Sequence, residues 1–68
     1  MKEEVKQMVE KIYYINNGIE LEEAIEFLKD NLPCFVGREF VEMDYSKITI
    51  NAREEDISTV ERKLAPLV

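Results

Sequence analysis

Histidine and tryptophan are both missing from this chain, and cysteine occurs once. Histidine is the side chain that changes charge near neutrality, and it is the commonest metal ligand. Its absence removes the Ser-His-Asp and Cys-His arrangements and every zinc site built on imidazole. A lone Cys34 cannot close an internal disulfide. An unpaired thiol fits a reducing compartment, so a cytoplasmic location is expected. The two glycines, Gly18 and Gly37, stand apart and form no phosphate-cradling loop. No run approaches the roughly 18 apolar residues of a membrane span. The acidic start, Met1-Lys2-Glu3-Glu4, lacks the apolar core of a signal peptide.

Cations are scarce as well. Nine Lys and Arg face 15 Asp and Glu, for a net charge of −6. That sign disfavours a general binder of phosphate backbones and an acidic membrane surface. It favours solubility and, among partners, basic proteins. Sixty-eight residues make one small domain, residues 1–68, and 46% hydrophobic with 35% charged residues fits a folded one. A chain this short buries only about 60% of its unfolded surface, so its core needs help. With disulfides and histidine-metal sites excluded, the expected help is oligomerisation.

Periodicity supplies the elements. Val5, Met8, Val9, Ile12 and Ile15 follow i, i+3, i+4 spacing and predict a first helix over about residues 2 to 17, stopped by Asn16-Asn17-Gly18. Gly18 suits the left-handed residue past a helix end. Leu21, Ala24, Ile25, Leu28 and Leu32 predict a second helix, with Glu20, Glu22 and Glu23 in its first turn and Pro33 after its end. The period then drops to two. Val41, Met43 and Tyr45, then Ile48, Ile50 and Ala52, predict two strands joined as a hairpin near residues 44 to 46. A last helix is expected over about residues 54 to 65, with Ile57, Val60 and Leu64 inward. Asn51 with Glu54 and Ser58 with Glu61 both fit a capping box at its start. The expected fold is α+β, in the order helix-helix-strand-strand-helix, with helices on one face of the hairpin. Two strands alone are marginal, and a dimer could extend the hairpin into a four-stranded sheet.

Candidate sites follow from exposure and charge. Glu22, Glu26 and Asp30 line one side of the second helix, a solvated face or a docking strip for a basic partner. Phe35-Val36 and Phe40-Val41 are adjacent apolar pairs, so one member of each should point away from the core. Phe35, Phe40 and Val41 are therefore candidate interface anchors. Lys47, Thr49, Asn51 and Arg53 share the outer side of the second strand and could reach nucleic acid as a β-ribbon does. Glu42 and Asp44 on the neighbouring strand would pair with Lys47 and cancel much of that field. Glu54-Glu55-Asp56 lacks the alternating pattern and central glycine of a calcium loop. Cys34 has only Arg38 as a close cation and reads as a small buried hydrophobe.

The expected function is a small, acidic, non-enzymatic interaction or regulatory protein, acting as a homodimer. It would bind through Phe35, Phe40 and Val41, with Glu22 and Glu26 steering a basic partner. The alternatives are nucleic-acid binding through Lys47, Thr49, Asn51 and Arg53, and inhibition by mimicry of nucleic-acid charge. No catalytic residue, metal or cofactor is expected.

Overall fold

The computed structural model describes residues 8–68. Strand β1 (Met8–Asn16) leads into helix α1 (Ile19–Asn31). Strands β2 (Phe35–Phe40) and β3 (Tyr45–Arg53) follow. A 3-10 turn at Glu54–Asp56, helix α2 (Ile57–Leu64) and a second 3-10 turn at Ala65–Leu67 complete the chain. The order is strand-helix-strand-strand-helix in a small α+β domain.

This corrects the expected helix-helix-strand-strand-helix order and its two-stranded hairpin. Residues 8 to 16 of the expected first helix form β1, and residues 2 to 7 of it lie outside the described residues. Five of the nine β1 residues are β-branched or tyrosine: Val9, Ile12, Tyr13, Tyr14 and Ile15. Such side chains pack well on a pleated surface and lose rotamer freedom in a helix. The second correction moves β2. Residues 41 to 44 turn the chain, and the paired strand is the earlier segment from Phe35 to Phe40. The Val41 and Glu42 amides both donate to the Tyr45 carbonyl. Gly18 precedes α1 with φ 166°, an extended conformation, and does not end a helix in the left-handed region.

β3 is the central strand. Both β1 and β2 pair with it antiparallel, in the order β1-β3-β2. β1 and β2 are thus parallel to each other, joined by α1 and split by β3. This three-stranded sheet replaces the expected hairpin, so the idea of a four-stranded sheet made from two hairpins falls with it.

β3 alternates strictly between buried and half-buried residues. Its inward Ile48, Ile50 and Ala52 join Ile15 of β1, Leu21, Ala24 and Leu28 of α1, and Val60 and Leu64 of α2 in one core. Both helices therefore cover the same face of the sheet. α1 carries Glu20 and Glu22 in its first turn and Lys29 in its last, as the helix dipole favours. It ends at Asn31 because Leu32, extended at φ −129° and ψ 146°, precedes Pro33. Neither the 3-10 turn nor α2 has a side-chain cap. Arg53 instead secures this corner, donating from Nε to Asp56 at 2.9 Å and approaching Glu55 at 3.2 Å.

Candidate functional site

No described element covers the second face of the sheet. Successive strand residues point to opposite sides, so the register places Met8, Glu10, Ile12, Tyr14 and Asn16 of β1 on this open face. Beside them lie Tyr45, Lys47, Thr49, Asn51 and Arg53 of β3. Phe35, Gly37 and Glu39 of β2 complete it. Three rows run across the strands: Glu10–Asn51–Phe35, Ile12–Thr49–Gly37 and Tyr14–Lys47–Glu39.

The apolar side chains on this face are well exposed: Phe35 72%, Tyr14 54%, Ile12 48% and Met8 44%. The Tyr14 and Tyr45 rings meet edge to face at 6.4 Å between centroids. Gly37, between Phe35 and Glu39 along β2, adds no side chain to this face. A Cβ built there would meet only Thr49, at ordinary contact distance of 3.8 Å. An antiparallel sheet with a solvated face usually shows polar residues there. This one shows a band of Met, Ile, Tyr and Phe, the composition of an interaction surface.

The charges on this face balance, with Glu10 and Glu39 against Lys47 and Arg53. Lys47 lies opposite Glu39 and Tyr14 in the register, whereas Glu42 and Asp44 fall in the turn. Arg53 is engaged by Asp56 and Glu55, and the hydrogen bond it donates to Asp56 raises its pKa further.

The edges of the sheet are managed differently. Lys11 on β1 and Arg38 on β2 point to the helix side of the sheet. Lys11 pairs with Glu61 of α2 at 3.2 Å. Arg38 pairs with Glu22 of α1 at 2.6 Å, donates to Asn17 Oδ1 at 3.1 Å and to Ser46 Oγ at 3.5 Å, and lies 4.6 Å from the Phe40 ring centre. Ser46 is fully buried and donates its hydroxyl hydrogen to Asn17 Oδ1. Asn17 in turn holds the β2–β3 turn, donating from its backbone amide to Asp44 and from its side chain to Met43. An inward cation on an edge strand discourages a further strand from adding there.

The residues singled out from sequence separate into two places. Lys47, Thr49, Asn51, Arg53 and Phe35 lie on the open face. Phe40 has the opposite strand parity and sits with Arg38 and Glu22 at the far end of β2, where exposed Val41 begins the turn. Glu26 lies one turn along α1 from Glu22 and is half-way along the helix's exposed side. Met8 and Ile12 are not legible from sequence as surface residues, because their spacing puts them on the apolar side of a helix, whereas Tyr14 reads as a core or interface residue.

Two other polar groups are closed off. Cys34 Sγ donates to the Leu28 carbonyl at 3.6 Å, and burial, then the nearby Asp56 charge, push its thiol pKa up, away from a reactive thiolate. The Tyr13 hydroxyl is buried with no hydrogen-bond partner, and burial followed by the Glu61 charge raises its pKa. Among the described residues, no group of three or more Cys, Asp or Glu could hold a metal ion, and no helix is long and apolar enough to cross a membrane.

No family model, curated protein or solved structure matches this chain.

Proposed function

We propose that this chain is a small, non-enzymatic interaction protein whose working surface is the open face of its sheet. The observation that carries this reading is the exposure of Met8, Ile12, Tyr14 and Phe35 on one uncovered face. Leaving such a band in water forgoes about 25 cal/mol for each square ångström of apolar area that a partner would cover. The partner is a protein, and the acidic side of α1, with Glu22, Glu26 and Asp30, favours approach of a basic one over long range. Homodimerisation belongs to the same reading. The single thiol of Cys34 suits a reducing compartment such as the cytoplasm.

The test is retention of bound protein from the source cells by wild type and by Ile12→Lys and Phe35→Lys, each verified as folded by circular dichroism. The expected result is that protein held by the wild type is lost by both variants. Equal retention would place the working surface elsewhere.

A second reading, nucleic-acid binding through Lys47, Thr49, Asn51 and Arg53, gains one supporting observation. Tyr14 and Phe35 share that face and offer rings for base stacking. The charge balance opposes it, because Glu10 and Glu39 share the same face and Arg53 is engaged by its acidic neighbours. Fluorescence anisotropy with a labelled single-stranded oligonucleotide at low salt separates the two. Binding that falls steeply with salt and is lost in Lys47→Ala would favour the nucleic-acid reading.

A further inference from the structure

We infer that a second copy of this chain covers the open face, sheet against sheet, about a two-fold axis running across the strands over the Ile12–Thr49–Gly37 row. This rests on the reading of the open face as the working surface, and it names the occupant.

Three observations point to it. The first is the route of approach. Both edges of the sheet carry an inward cation already held by a helix carboxylate, Lys11 by Glu61 and Arg38 by Glu22. A copy adding strand to strand would extend the sheet beside those charges, whereas a copy lying on the open face leaves both pairs untouched.

The second is where the charge sits. A chain of net charge −6 repels its own copies. That charge is concentrated on the helix side, where α1 alone holds Glu20, Glu22, Glu23, Glu26 and Asp30 against Lys29. The open face is balanced. Sheets packed face to face lie about 10 Å apart, and a helix layer adds about 10 Å on each side. The two acidic layers then lie about 30 Å apart, well beyond the screening length of about 8 Å in physiological salt. Docking through the helices would bring those layers together instead.

The third is the pattern of the rows. An axis across the strands exchanges the Glu10–Asn51–Phe35 row of one copy with the Tyr14–Lys47–Glu39 row of the other. Lys47 of each copy then lies over Asn51 and beside Glu10 of its partner, and the Tyr14 hydroxyl lies over Glu10. Ile12 meets Ile12 at the centre, and no like charges are opposed. An axis along the central strand would instead set Lys47 on Lys47 and Arg53 on Arg53. The face is therefore complementary to itself in one of these two orientations. Its extent, about 30 Å along the strands and about 15 Å across them, is at the small end for a specific interface. An interface of that size belongs with the weak, transient associations.

Sedimentation equilibrium from low-micromolar to near-millimolar protein tests this, on the wild type and on Glu10→Lys, Lys47→Glu and the double swap. The wild type should climb from 8.0 kDa to twice that mass. Each single reversal sets like charges together and should weaken association about tenfold or more, while the double swap should return it to within about threefold of wild type. A wild type that stays at 8.0 kDa throughout overturns the second-copy assignment. If Ile12→Lys nonetheless loses a protein partner, the interaction reading survives that failure. Self-association unaffected by the single reversals, or unrescued by the double swap, overturns the two-fold arrangement.

Discussion

The Arg38 guanidinium on β2 donates to the Glu22 carboxylate on α1 at 2.6 Å, joining the outermost strand to the helix that crosses beneath it. Arg38 also reaches Asn17 and Ser46 and lies over Phe40, so it has several roles where Glu22 has one. Truncating the two residues should therefore be unequal. Glu22→Ala should cost less than about 1 kcal/mol, because the carboxylate is largely exposed. Arg38→Ala should cost about 1–3 kcal/mol, because buried Ser46 loses a partner as well. Urea unfolding of both variants and the double variant checks this, and equal losses would show that only the ion pair matters.

Tyr13→Phe should leave stability unchanged or raise it by up to about 1 kcal/mol. The hydroxyl is buried without a partner, so removing it leaves no group newly unsatisfied. The same residue produces a pH dependence. Its folded pKa is raised, chiefly by burial. As pH rises through the ordinary tyrosine value near 10, the unfolded chain releases this proton before the folded one does. The unfolded state then binds fewer protons, and stability falls between the unfolded and folded pKa values. Thermal melts from neutral to strongly alkaline pH should show a shallower decline for Tyr13→Phe than for wild type.

Gly37→Ala should stabilise the monomer by about 0.5–1 kcal/mol. Glycine in a strand loses more chain entropy on folding than alanine does. The added Cβ meets only Thr49, at 3.8 Å, and no glycine has a positive φ. A loss of stability in urea unfolding would contradict this account of β2.

Leu28→Ala should cost about 2–5 kcal/mol, since Leu28 is fully buried where α1 meets the sheet. For so small a domain that loss approaches the whole stability. Ile12→Ala should change the unfolding of dilute, monomeric protein by under about 1 kcal/mol, because its side chain is half in solvent. Circular dichroism melts at low concentration compare the two.

α1, β3 and α2 are legible in the sequence because each has one apolar side. Leu21, Ala24 and Leu28 recur at helical spacing, and Ile48, Ile50 and Ala52 alternate with polar residues. β1 is not legible in that way, because both of its faces are apolar. Val9, Tyr13 and Ile15 point toward the helices while Met8, Ile12 and Tyr14 point away, which erases the two-residue period. The apolar outer side that makes β1 a candidate interface is thus what made it resemble a helix, and only its β-branched and aromatic content marked it as a strand. β2 is hidden for another reason: Arg38 points inward, where an alternating pattern calls for an apolar residue. For the site, Lys47, Thr49, Asn51 and Arg53 are visible as one side of a strand, and Phe35 as an anchor. That Ile12 and Tyr14 lie beside them depends on the pairing of β1 with β3, which local periodicity does not report.

Amide chemical shifts followed by NMR as protein concentration is raised test the central claim, that the open sheet face is where this chain meets protein. Shifts should be confined to residues of that face, above all Ile12, Tyr14, Phe35, Lys47, Thr49 and Asn51, with α1 unchanged. Shifts clustered on α1 or α2, with the sheet face silent, would contradict it.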